Sequence, residues 1–140
     1  MNLLQKFKGT YSDILLFLVL LIYSFKSSFF NQIATFGYII VLIGVTLWIV
    51  SRYQLGDAFS TLPEAKKIIK NGIYKKIRHP IYISGVITFL GLTLVYQKQL
   101  FYIVLLLLII LQIIRAIIEE HILVKNFGKE YVEYKKSTWF

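Results

Sequence analysis

From Leu100 to Ile118 every position is hydrophobic except Gln112 and Arg115. A helix needs roughly 20 such residues to cross the hydrocarbon layer of a bilayer, whereas a soluble core helix is apolar on one face only. Three further apolar runs flank this one, from about Tyr11 to Phe25, Ile33 to Val50 and Pro80 to Tyr96. Inside lipid the backbone must satisfy its own hydrogen bonds, which for single segments means helices. The expected fold is therefore all-α: an integral membrane bundle of about four transmembrane helices, forming one domain over residues 1–140. A hydrophobic content of 57% and a positive mean hydropathy of +0.67 agree, since a soluble domain needs a largely polar surface. Lys6 and Lys8 precede the first run as they would in a signal peptide, but Ser24-Phe25-Lys26-Ser27-Ser28 offers no small-x-small cleavage pattern, so a retained span is expected. Only Gln97, Lys98 and Gln99 separate the last two runs, room for a tight hairpin.

The basic residues orient the bundle. Of 16 Lys and Arg, only Lys26 and Lys98 fall on one side of the four-span arrangement, and the rest fall on the other. The positive-inside rule then places both termini, the long connection from Ser51 to His79 and the tail in the cytosol. The same asymmetry explains the net charge of +9. These lysines flank a membrane and meet anionic lipid headgroups first, so nucleic acid is not the expected partner. Cysteine is absent, which excludes disulfides, thiolate metal sites and a cysteine nucleophile, and two isolated histidines do not make a zinc site.

The connection from Ser51 to His79 is patterned. Pro63-Glu64-Ala65-Lys66-Lys67-Ile68-Ile69-Lys70 reads as a short amphipathic surface helix, with Pro in its first turn, Glu near its N-terminus and lysines later. Asn71-Gly72 should end it in a left-handed turn. Beyond the fourth run, Glu119 to Lys136 reads as a continuing helix, interrupted at Gly128 and lying at the interface.

Two polar clusters fall at the cytosolic ends of these spans. In the first, Pro80 holds His79 out of the helical region and suits the first helical position, so Arg78 and His79 should sit just ahead of a helix N-terminus, a natural anion site. Tyr74 and Tyr82 supply aromatic faces beside it, suited to a base or a sulfonium cation. Arg and Tyr also serve as plain interfacial anchors. In the second cluster, Gln112, Arg115 and Glu119 recur at i, i+3 and i+7 and share one helix face. Arg at the centre of a span costs roughly 2.5–3.5 kcal/mol, so that face should point inward. A self-neutralising Arg115–Glu119 pair is the plain alternative.

The ordered set Gly72-x-Tyr74, Arg78-His79-Pro80-x-Tyr82, Gly91, Arg115-x-x-x-Glu119-Glu120 and Phe127-Gly128-x-x-Tyr131-x-x-Tyr134, preceded by Leu55-Gly56 and Phe59-Ser60, resembles the isoprenylcysteine carboxyl methyltransferase family. The resemblance covers about Leu55 to Tyr134, with motif blocks at 55–82 and 115–134, and the wider group is similar to phospholipid N-methyltransferases. It implies S-adenosylmethionine as cofactor and a lipophilic methyl acceptor entering from the bilayer. It implies that Tyr74, His79, Pro80, Ile81, Tyr82 and Glu119 contact the cofactor, with Ile68 and Ile69 covering it more loosely, and that Arg115 faces the acceptor carboxylate as the catalytic and substrate-binding residue. Ser84 stands where the family usually has glycine, with Gly85 beside it. The chain ends at Phe140 without a longer tail, and the first two runs carry no family signature.

The implied activity is carboxyl O-methylation of an isoprenylcysteine-like substrate on the cytosolic face; N-methylation of a phospholipid or other lipophilic amine is the alternative. A small transporter or non-enzymatic subunit is the rival from another class. It fits less well, because a transport path must cross the membrane and the ionisable residues gather on one side.

Overall fold

The computed structural model describes residues 32–56 and 67–139, together with Val19. The expected Tyr11–Phe25 span and residues 63–66 lie outside them. The described residues fold into four α-helices: α1 (Gln32–Leu55), α2 (Pro80–Tyr96), α3 (Gln99–Phe127) and α4 (Lys129–Lys136), with a 3₁₀ turn at Gly72–Lys75 ahead of α2. Two of these helices, α1 and α3, are long and apolar enough to cross a membrane, and α2 is a shorter apolar helix. At a rise of about 1.5 Å per residue, α2 reaches only about 25 Å, near the lower limit for a span.

Packing is concentrated between α1 and α2, and small residues make it possible. Ala34, Gly37, Val41, Gly44 and Ser51 are buried along α1; Ser84, Thr88, Gly91 and Val95 are buried along α2. A Cβ added to Gly37 would lie 2.8 Å from the Gly91 carbonyl, and one on Gly91 would lie 2.6 Å from the Val41 nitrogen. The backbones thus touch through their glycines, the mode by which helices associate where no hydrophobic force separates them from lipid. The hydroxyls in this seam are satisfied within their own helices: Ser51 Oγ donates to the Leu47 carbonyl at 2.6 Å and Thr88 Oγ1 to that of Ser84 at 2.8 Å.

α2 turns into α3 through Gln97, which takes the left-handed conformation (φ 49°) and whose N–H bonds the Thr93 carbonyl. The expected tight hairpin is present. By contrast, no residue of α3 is buried; Leu106, Leu111 and Ile117 expose about 60% of their surface. A helix apolar all round and covered by so little of the chain suits lipid rather than water.

As expected, the helix continues past the apolar run: α3 extends beyond Ile118 to Phe127, where Gly128 (φ 52°) interrupts it and α4 begins. Glu, Lys and Leu favour helix on either side of a lipid boundary, so the backbone stops at glycine and not where polarity begins. Residues 67–70, the second half of the expected surface helix, have no regular structure. Lys70 reaches Glu130 of α4 at 2.7 Å, and Asn71 is extended.

Candidate active site

The site is built on the turn before α2. Gly72 adopts φ +60°, and the Ile73 N–H donates to Gln54 Oε1 at 2.8 Å. A Cβ at Gly72 would displace the end of the Gln54 side chain from its bond to Ile73, and the positive φ itself favours glycine. The turn buries Tyr74 at 5% exposure. Its hydroxyl donates to the Ser51 carbonyl at 3.4 Å, and its own carbonyl accepts from the Tyr134 hydroxyl at 2.5 Å. Burial pushes the Tyr74 phenol well above its usual range and that of Tyr134 up to about 12. Both remain neutral hydrogen-bonding groups that tie the turn to α1 and α4.

Pro80 occupies the first position of α2, and His79 caps it at φ −120°, ψ 54°, outside the helical region as expected. The amides of Tyr82 and Ile83 both return to the His79 carbonyl, at 3.1 Å each, so this helix end offers fewer open N–H groups than its sequence suggested. Its side chains do more. The His79 ring stacks on Tyr82, with centroids 5.5 Å apart and 9° between planes. The Tyr82 hydroxyl donates to Glu119 Oε2 at 2.8 Å; His79 Nδ1 lies 3.7 Å from that same oxygen, and Nε2 lies 3.4 Å from Glu120 Oε1. The Arg115 guanidinium sits 5.9 Å from the Tyr82 ring centroid. The predicted residues His79, Tyr82, Arg115 and Glu119 therefore form one group. Burial holds the His79 pKa below its ordinary value despite the opposing pull of Glu119 and Glu120, so the imidazole is neutral at pH 7.

The two adjacent glutamates have separate tasks. Glu120 accepts from Arg78 Nε at 2.8 Å and from Lys135 Nζ at 2.5 Å. Arg78 in turn donates to Thr138 Oγ1 at 2.8 Å and to the Lys135 carbonyl at 3.2 Å, and the Trp139 N–H bonds the Lys76 carbonyl at 2.9 Å. With two cations on it, Glu120 anchors α4 and the residues after it over the turn. Glu119 is more open, its side chain 30% exposed against 18% for Glu120. A carboxylate has about four lone-pair sites, so Glu119 can accept further hydrogen bonds from a ligand.

Other predicted residues are placed differently. Pro80 is buried and Ile81 half-buried, the Ile81 carbonyl accepting from Ser84 Oγ at 2.8 Å. Tyr74 faces α1 rather than presenting an open aromatic face beside Tyr82. Ile68 and Ile69 are half-buried in the irregular stretch before the turn, and among the described residues no polar or ring contact joins them to the His79–Tyr82–Glu119 group. Sequence reasoning overlooked Gln54, Lys135 and Thr138. Nothing local marks Gln54 or Thr138; the Arg78–Glu120 pair was present in the quoted motifs and pointed to Lys135 only through three-dimensional proximity. Among the described residues no cluster of His, Asp and Glu has the form of a metal site.

Together, apolar helices of membrane-crossing length and a polar site gathered where α2 begins and α3 loses its apolar character define a membrane-type helical protein with its chemistry at one end. The chain matches the phospholipid methyltransferase family over residues 32–130, and it belongs to that family. It is also 28% identical, over 109 residues, to the protein-S-isoprenylcysteine O-methyltransferase of Saccharomyces cerevisiae; the match covers 73% of this chain and 45% of the yeast protein. The chain thus spans about half the length of that curated relative. No solved structure matches it. Both similarities are to methyltransferases.

Proposed function

We propose that this protein is an S-adenosylmethionine-dependent methyltransferase that esterifies the carboxylate of a lipidic, isoprenylcysteine-like acceptor. In this reading it is one membrane domain of four spans with both termini in the cytosol, its polar site faces the cytosol, and its basic flanks rest on anionic headgroups. The observation that carries it is Arg115, a guanidinium near the polar end of the apolar run of α3, beside the Tyr82–His79–Glu119 group.

The residues present fit the cofactor. The stacked His79–Tyr82 pair offers aromatic surface to a cation, and the half-exposed Glu119 carboxylate can accept from ribose hydroxyls or an ammonium group. Pro80, Ile81, Tyr74, Ile68 and Ile69 would complete its surroundings. Bound S-adenosylmethionine supplies a methyl group already activated on a sulfonium, so the protein need not create a nucleophile. A carboxylate is ionised at neutral pH and needs no base, in keeping with a neutral His79. Arg115 orients it through two parallel hydrogen bonds, and the apolar flanks of α2 and α3 exclude water.

The name of the matched family favours a second reading, N-methylation of a phospholipid amine, and one experiment separates the two. Arg115→Ala should abolish methyl transfer in native membranes while leaving cofactor affinity within about twofold, and Arg115→Lys should rescue poorly, because lysine lacks the planar fork. The product should release methanol in mild base. A base-stable product, or an Arg115→Ala enzyme as active as the parent, decides for the amine.

A further inference from the structure

One polar side chain of α3 has no part in the site described so far. Gln112 lies one turn before Arg115 on the same face, deeper in the apolar run. Its Oε1 is buried and has no hydrogen-bond partner among the described residues. A buried amide oxygen left unpaired is costly, more so in a segment surrounded by hydrocarbon. Across from it, on α2, is Gly85: a Cβ placed there would meet only the Gln112 Nε2, at 3.7 Å. The neighbouring Ser84 is fully buried on the buried side of α2 with Thr88, which abuts Gly44 of α1. α2 therefore offers its hydroxyl-bearing small residue to the helix seam and its side-chain-free residue to Gln112. The Gln112 amide thus lies against Gly85 between α2 and α3, with Tyr82 and the exposed Arg115 one turn further toward the polar end.

From this arrangement we propose that Gln112 is an acceptor-binding, specificity-determining residue, whose amide oxygen accepts a hydrogen bond from an N–H on the lipid side of the acceptor carboxylate. The inference rests on the carboxyl methylation reading and deepens it. Arg115 holds a carboxylate; one helical turn, about 5 Å, separates that position along α3 from Gln112. A molecule spanning both has a carboxylate, then a hydrogen-bond donor one or two bonds away, then its apolar chain running out along Gly85 into the bilayer. A lipidated amino acid whose nitrogen is acylated has this order of groups. A simple fatty acid does not, because no donor follows its carboxylate.

The test uses two acceptors with the same prenyl thioether and the same carboxylate, one bearing an acylated N–H beside the carboxylate and the other a CH₂ in its place. Full-length enzyme in native membranes should favour the first in kcat/KM by about three- to tenfold, the value of one hydrogen bond. Gln112→Met, close in volume, should lose that preference by raising KM for the N–H acceptor, with KM for the CH₂ acceptor and cofactor affinity unchanged. Because the substitution removes an unpaired buried group, the melting temperature of the purified apo protein should stay level or rise. A parent enzyme that methylates both acceptors equally overturns the role of Gln112 while leaving carboxyl methylation intact. So does a Gln112→Met protein that loses both activities alike or melts well below the parent, since Gln112 would then support the fold. A parent inactive on both acceptors overturns the carboxylate reading, and this inference falls with it.

Discussion

Gly91→Ala should break the seam between α1 and α2, and its size can be worked out from the backbone. The new methyl would lie 2.6 Å from the Val41 nitrogen and 2.8 Å from the Gly37 carbonyl, whereas ordinary contact begins at 3.4 Å. The overlap of about 0.8 Å is with backbone, so no rotamer relieves it and the helices must part. Overpacking of a well-packed contact costs about 1–3 kcal/mol, and rigid neighbours place this case at the upper end. Alanine recovers about 1 kcal/mol of helix propensity, leaving a net loss of about 2 kcal/mol, or about thirtyfold in the unfolding equilibrium. Gly85→Ala is the control: its methyl meets only the end of Gln112 at 3.7 Å, so it should leave stability level or raise it by up to about 1 kcal/mol. Equilibrium unfolding in mixed micelles, followed by helical circular dichroism, measures both. If Gly91→Ala is as stable as Gly85→Ala, the backbone contact of these helices is not as described and the reasoning fails.

The division of labour between the glutamates predicts opposite phenotypes. Glu119→Gln should weaken cofactor binding about ten- to a hundredfold by calorimetry with little change in melting temperature, whereas Glu120→Gln should speed hydrogen exchange in α4, because Arg78 and Lys135 lose their counter-charge. His79 sets an acid limit. Its folded pKa lies below the usual value of about 6.5, so the folded state binds fewer protons than the unfolded chain between the two values; stability is whole above about pH 6.5 and falls as pH drops through it. His79→Asn should flatten the difference in unfolding midpoint between pH 7.5 and 5.5, and an unchanged difference would assign the acid limit to another group. For the proposed topology, cysteines introduced at Ser27 and Gln99 should react with an impermeant reagent from outside and those at Ser60 and Ser137 should not; the reverse pattern would end the four-span arrangement.

Legibility followed the range of the interaction. Pro80–Tyr96 is legible to the residue because both limits are local: proline fixes the start, and the short Gln97-Lys98 connection forces the stop. The end of α1 was read short, at Val50 instead of Leu55, since hydropathy reports where lipid-like composition ends and not where the backbone does; the continuation of α3 to the break at Gly128 was legible, because a glycine marks it locally. The shared face of Gln112, Arg115 and Glu119 was legible from their spacing, but it does not point wholly inward: Gln112 and Glu119 are half-buried and Arg115 is exposed. Which glutamate anchors and which stays open was not legible, because that depends on where Lys135 and Arg78 arrive after the chain folds back. The same holds for residues 67–70: their pattern fits a helix, yet they have no regular structure, and the Lys70 partner Glu130 lies sixty positions away.

The bonds that close the site join residues about sixty positions apart: Tyr134 to Tyr74, and Arg78 to Thr138. Between them lie the whole of α2 and α3, so these ties cannot form while the intervening helices are still being made. During synthesis α2 and α3 can pair as soon as each has emerged, since their hairpin is local. The turn at Gly72–Lys75, the Arg78 side chain and the Tyr74 carbonyl must wait for α4 to be translated. A nascent chain stalled before Tyr131 therefore holds a finished helix seam and the His79–Tyr82–Glu119 group but lacks the ties over the turn, which arrive together in a single late step.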